Sequence, residues 1–313
     1  MLAYIVRRIA ATIPVMAIVG LFVFSLLYLA PGDPASVLAG DYASPADIER
    51  IRHSLGLDQP FIMRFAEWFW QILHLDLGTS IFTGLPVSTL IGQRLEPTIS
   101  LMVVTLIFTV VVAVPLGVVA AWRAGSWIDR LVMTFSVLGF SVPVFVVGYI
   151  IAYVFALKLG WFPVQGYSFI ANGVGPWFES LVLPAFALSC AYIALIARIT
   201  RATMIEILQQ DYIRTAEAKG LGQNAVLFVH ALKNAAVPII TVVGLGVALL
   251  IGGAVVTESV FAIPGLGRLT IDAILHRDYP VIQGLVLFFS FVYVIVNLIV
   301  DIAYTFVDPR IRY

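Results

Sequence analysis

The chain has 313 residues, of which 61% are hydrophobic and 12% charged, with 18 acidic and 18 basic side chains and a mean hydropathy of +1.02. That composition excludes a soluble globular domain, and a single cysteine, Cys190, excludes an internal disulfide. Zero net charge says little about partners in such a chain, because topology distributes the charges between its two sides.

A helix needs about 20 apolar residues to cross a hydrocarbon core of about 30 Å. Six charge-poor runs meet or approach that length: residues 9–30, 97–122, 131–157, 180–197, 234–257 and 279–300. They are apolar on all sides rather than alternating, so they predict an all-α integral membrane protein with six transmembrane helices and not a barrel. The first run follows Arg7 and Arg8 as the core of a signal peptide would. It exceeds the usual length of such a core and lacks a small-residue cleavage site, so it reads as a retained span. With the N-terminus inside, the segments 1–8, 122–130, 198–236 and 306–313 hold most of the 18 Lys and Arg in little more than half the length of the outside segments. Both termini are therefore expected in the cytoplasm. The organisation that follows is 1–30 for the N-terminal tip and first span, 31–95 for an extracytoplasmic segment, 96–305 for a core of five spans with a cytoplasmic segment at 198–236, and 306–313 for a tail.

Within 31–95, Ser44 fits an N-cap, Pro45 the first helical position and Asp47 the first turn, with Ile48, Ile51 and Leu55 on one face and Gly56 as the stop. A second amphipathic helix is expected from Pro60, with Phe61, Phe65, Trp68 and Ile72 at helical spacing. It is too short and polar to span, and is expected to lie on the membrane surface or cap the bundle. Inside the spans, Pro115, Pro143 and Pro184 are candidate kinks, and Gly244, Gly246, Gly252 and Gly253 are candidate close-approach points.

Catalytic groups are missing from the pattern. His53, His74, His230 and His276 are scattered without ligand spacing, and there is no phosphate-cradling loop or nucleophile elbow. No catalytic residue, metal ligand or cofactor site is predicted. Only Glu258 and Asp301 approach the spans, each at an end from which the interface is expected to be within reach. The spans offer a pathway without an engine, so energy is expected from another subunit. The alternative is a self-sufficient channel or secondary transporter, which would depend on Glu258 or Asp301.

Residues 211–238, DYIRTAEAKGLGQNAVLFVHALKNAAVP, form a polar interlude between runs four and five. Asp211 fits an N-cap, Lys219 suits the negative end of the dipole and Gly220 fits the left-handed stop of a two-turn helix. Tyr212, Ile213 and Ala216 share a face, with Arg214, Glu217 and Ala218 elsewhere. Asn224 is the expected cap of a second helix carrying Val226, Leu227, His230 and Leu232. A nucleic-acid helix-turn-helix is excluded by the tethers at both ends and by Glu206, Asp211 and Glu217, which offset the basic residues.

This segment resembles the cytoplasmic coupling motif of ABC importer permeases, with Ala216, Gly220 and Leu232 at its small, glycine and leucine positions. RTAEAKGL (214–221) and HALKNA (230–235) are similar to one branch, the first of the two permeases in dipeptide, oligopeptide, glutathione and nickel importers. LAPGDPA, LGLDQP, DLGTS, RLEPT, ESVFAIPGLGRL, RDYPVIQG and the terminal VDPRIRY extend the resemblance along nearly the whole chain. It implies a type I importer permease in a bacterial or archaeal plasma membrane. The implied partners are a second, non-identical permease, one or two ATPases that carry the ATP and Mg, an extracytoplasmic solute-binding protein and lipid, with no nucleic acid. Residues Asp211, Tyr212, Arg214, Thr215, Ala216, Glu217, Ala218, Lys219, Gly220, Leu221, His230, Leu232 and Asn234 would then belong to the ATPase-coupling segment. Glu258, Phe261, Pro264, Gly265 and Gly267 would form a loop or gate at the outer mouth, where Pro264 and the two glycines read as a tight turn.

Overall fold

The computed structural model describes residues 2–29, 35–36, 44–54 and 58–307. The expected stop at Gly56, the tail from 308 and parts of LAPGDPA, LGLDQP and VDPRIRY lie outside the described residues. The elements are α1 (Leu2–Leu29), α2 (Pro45–Ser54), α3 (Phe61–Leu73), α4 (Val87–Trp122), α5 (Trp127–Ser141), α6 (Val144–Ile151), α7 (Val174–Leu208), α8 (Asp211–Ala218), α9 (Leu232–Val260), α10 (Leu266–Leu275) and α11 (Tyr279–Val307). Wide π turns continue α6 over Ala152–Lys158 and precede α9 over Ala225–Ala231.

Among the described residues four helical stretches are long and apolar enough to cross a membrane: Val87–Trp122, Val174–Leu208, Ala225–Val260 and Tyr279–Tyr304. The third predicted run is a broken one, α5 and α6 meeting at 103° around Pro143. A proline cannot donate to the carbonyl four residues back and disfavours helix in the residue before it, so the chain turns there. Counted as one span, the pair makes a fifth; the apolar part of α1, Ala10–Ser25, is shorter. Pro115 and Pro184 instead lie inside continuous helices. α4 and α7 also outrun their apolar runs, because QRLEPT and the polar residues after 197 stay helical.

The chain forms two compact units, residues 1–94 with 269–294 and residues 95–268 with 295–313. In the first, Ser44 and Asp47 cap α2 reciprocally: the Ser44 hydroxyl donates to Asp47 Oδ2 (2.6 Å) and accepts the Asp47 amide (3.3 Å), and Oδ2 accepts the Ser44 amide (3.2 Å). These bonds hold the Asp47 carboxyl below its ordinary value. The aromatic stripe of α3 packs on α1, with Phe61, Phe65 and Trp68 centred 5.3, 5.5 and 5.4 Å from Phe24, and Arg64 donates to the Tyr28 hydroxyl (2.6 Å).

The second unit is a bundle around α7. Its core joins Leu101 of α4, Leu181 and Leu188 of α7, Leu250 and Ala254 of α9, and Phe261 and Ile263 beyond it. Small residues set the helix spacing: a methyl on Gly253 would meet Leu188 and one on Gly244 would meet Val300, whereas Gly252 faces open space.

Candidate functional site

The polar interlude folds as a short helix fixed to the bundle by one face. Gln210, extended at φ −74°, takes the N-cap position of α8, so Asp211 is the first helical residue and not the cap. Its exposed carboxylate lies 3.6 Å from Arg214 instead. The predicted stop holds: Gly220 is left-handed at φ +77°. Its amide bonds to Glu217 O (2.9 Å) and the Leu221 amide to Ala216 O (3.3 Å), closing the last helical carbonyls in a Schellman arrangement. Ile213 and Ala216 are buried among Val118 and Ala121 of α4, Met204 of α7, and Val226, Leu227 and Ala231 of the following turn. Burying Ile213 alone is worth about 1.5–3 kcal/mol. Tyr212, Arg214, Thr215, Glu217, Ala218, Lys219, Gly220 and Leu221 are all exposed. Partial burial pushes the Tyr212 phenol up, against a hydrogen bond with Asn234 that favours ionisation.

Asn224 is not a cap; it is already helical at φ −63°. The next helix starts from Gly222, whose carbonyl accepts the Ala225 (2.9 Å) and Val226 (3.1 Å) amides. The helix then runs without a break through the π turn into α9, with Asn234 Nδ2 donating to the His230 carbonyl (2.7 Å). His230 and Leu232 are half-buried in this stretch.

An ion pair that the sequence reading missed braces the same end of the bundle. Arg201 of α7 grips Asp129 in the first turn of α5 with two bonds, Nε to Oδ1 and Nη2 to Oδ2, the second 2.6 Å long. Asp129 Oδ2 also accepts the Gly125 amide (2.9 Å), and the Asp129 side chain is 5% exposed. A bidentate, sheltered pair of this kind is specific in geometry.

At the other end of α9, Glu258 does not reach the interface: it is fully buried. Oε1 accepts the Thr98 hydroxyl (2.6 Å) and Oε2 the Arg268 amide (3.0 Å), while Thr98 Oγ1 accepts the Leu266 amide (2.7 Å). One carboxylate thus holds α4, at Thr98, and the start of α10 against the end of α9. Pro264 centres a three-residue turn, with the Gly265 amide on Ile263 O (2.9 Å), but the reversal of α9 is made by Ala262 at φ +51°. Ile263 N to Glu258 O (2.9 Å) closes that helix end, and the Phe261 carbonyl accepts the Gly166 amide (2.8 Å). Gly265 and Gly267 are required by space: a methyl on Gly265 would land on the Glu258 carboxylate, and one on Gly267 on the Val255 backbone. Phe261 is buried in the core.

The dispersed motifs meet in pairs. Thr98 of RLEPT meets Glu258 of ESVFAIPGLGRL. Glu96, in the same RLEPT, accepts the Tyr167 hydroxyl (3.0 Å) and the Ile170 amide (2.9 Å); burial pushes the Tyr167 phenol up. Within the first unit, Asp278 of RDYPVIQG accepts the Ser80 hydroxyl of DLGTS and the Ile81 (3.2 Å) and Phe82 (3.3 Å) amides. Thr98, Glu258, Ser80 and Asp278 were therefore present in the sequence as motif residues, without anything to say which motif faces which.

Residues 113–313 match the family described as binding-protein-dependent transport system inner membrane component, and residues 1–102 match its N-terminal counterpart. The chain belongs to this family. It is 56% identical over 310 residues to a probable peptide ABC transporter permease of Sinorhizobium fredii, covering 99% of each chain. It is 40% identical over 333 residues to a dipeptide transport system permease of Alkalihalophilus pseudofirmus, covering all of both. Its fold matches an inward-facing structure of the MetNI methionine ABC transporter, with a TM-score of 0.59 over 71% of this chain and 97% of that one, at 17% identity. The protein is thus a multi-pass bacterial inner-membrane permease with the type I importer fold, a transport subunit and not an enzyme.

Proposed function

We propose that this permease is one of two non-identical membrane subunits of an ATP-driven importer of peptides, with α8 as the joint to a separate ATPase. The observation that carries the reading is the two-sidedness of α8. Ile213 and Ala216 fasten it to the ends of α4 and α7, while its remaining residues are exposed, Tyr212 only in part. A short helix bolted to the bundle transmits a push, where a loop would absorb it. The Asp129–Arg201 pair extends the same rigid body to α5.

In this reading the chain crosses the membrane six times with both termini in the cytoplasm, supported by the distribution of Lys and Arg. ATP and Mg reside on one or two partner ATPases, and a solute-binding protein delivers ligand near the Glu258–Gly267 turn. The peptide class rests on the relatives named above. Co-purification from native membranes tests the joint, with the wild-type chain compared with Gly220→Val. A β-branched residue is costly at φ +77°. The expected result is recovery of a second permease and ATPase with wild type, and at least tenfold less ATPase with a variant that still inserts. ATPase yields unchanged by the substitution would refute the joint.

A further inference from the structure

The first unit contains a cleft of about 150 Å³ between the 80–94 stretch and α10 that none of the foregoing uses. One wall is pinned by Asp278, whose carboxylate is occupied by the Ser80 hydroxyl and two backbone amides. That holds the Phe82 ring against the His276 imidazole, centroids 4.0 Å apart. The floor is apolar, formed by Leu90, Leu269, Ala273 and Val281, all buried. On the rim stand Arg94 and Asp272, with Nη1 and Oδ2 3.9 Å apart and side chains 29% and 46% exposed. That separation is beyond a hydrogen bond, and so exposed a pair contributes little stability. Among the described residues its side chains have no hydrogen-bonded partner and are open to a third group.

We propose that this cleft takes the N-terminal residue of a peptide. The α-ammonium would sit on Asp272, the first carbonyl on Arg94 and the side chain on the apolar floor. Only the N–Cα–C=O bonds separate the ammonium from the carbonyl oxygen, so the two lie about 3 Å apart, which suits a cation and an anion spaced as these are. Asp278 adds a second negative charge beside the cleft, which favours an ammonium over a free carboxylate as the group captured. The volume admits one residue and not a whole oligopeptide, so recognition would fall on the end and leave the rest of the chain unread. This assignment rests on the peptide-import reading.

The test is a titration of the full chain in lipid nanodiscs with alanyl-alanine and with N-acetyl-alanyl-alanine, followed by saturation-transfer NMR. Alanyl-alanine is expected to bind and the acetylated peptide to bind about tenfold more weakly or worse, the size of one charge-assisted hydrogen bond. Asp272→Asn should abolish that preference and Asp272→Glu retain it, each with wild-type thermal unfolding; Arg94→Gln should weaken both peptides and keep the preference. Equal binding of the two peptides, a preference that survives Asp272→Asn, or no binding of either would overturn the cleft. If the assembled importer nevertheless accumulates alanyl-alanine in vesicles, the cleft alone falls. If it accumulates no peptide, the import reading falls with it.

Discussion

The helix ends at Gly220 and at Ala262 are the same backbone manoeuvre built from opposite materials. At Gly220 the chain is left-handed and a methyl would meet nothing within 4 Å, so the glycine serves the backbone alone. At the end of α9 an alanine takes the left-handed position, at a cost of about 1 kcal/mol, and the glycines stand just beyond it. Their backbone needs no such freedom; they are there because Glu258 and Val255 leave no space. The first site is open and keeps its conformation by local bonds, the second is closed and keeps it by packing around a buried carboxylate. A glycine therefore signals different things at the end of α8 and at the end of α9, and substitutions separate them.

The largest effect is expected inside the closed turn. Gly267→Ala and Gly265→Ala should each lower the unfolding free energy by about 1–3 kcal/mol, measured by thermal unfolding in detergent. Glu258→Ala is itself costly, but in that background Gly265→Ala should add little, because the space its methyl needs is vacated, whereas Gly267→Ala should keep its cost, its methyl meeting the Val255 backbone; loss of both costs would mean the turn yields as a unit. Next, Gly220→Ala should cost about 1 kcal/mol through strain alone, without loss of the packing around Ile213. A cost well above that would show that the open site is closed by something after all. Smallest is Ala262→Gly, expected to raise stability by about 0.5 kcal/mol or less, as relieved strain slightly exceeds the added freedom of the unfolded chain. A fall in unfolding temperature would show that the alanine methyl holds more than its backbone strain costs.

The bundle was legible because apolar runs of span length have few alternatives, and Gly220 was legible because a helix stop is a local event. The Ser44–Asp47 cap and the aromatic face of α3 were readable for the same reason. Asp211 and Asn224 misled because each is a good cap by type, while the chain's path made Gln210 and Gly222 the first residues with free carbonyls to offer. Glu258 misled more deeply. Its partner Thr98 lies 160 residues away, and no local pattern states that a carboxylate at a span end will turn inward and be fully satisfied. Separation along the chain, here 72 residues, likewise hid Asp129 and Arg201. The left-handed Ala262 was invisible because the rule that finds such positions looks for glycine.

The π turn at Ala225–Ala231 gives α8 its phase relative to α9. A π turn carries an extra residue compared with an α turn, and each residue of helix is worth about 100° of rotation. Removing one residue there would let the stretch relax to ordinary helix and turn Val226, Leu227 and Ala231 by about that angle away from Ile213 and Ala216, with every side chain unchanged. The seat on which α8 rests, and with it the direction in which Arg214 and Lys219 point, is thus written as a length.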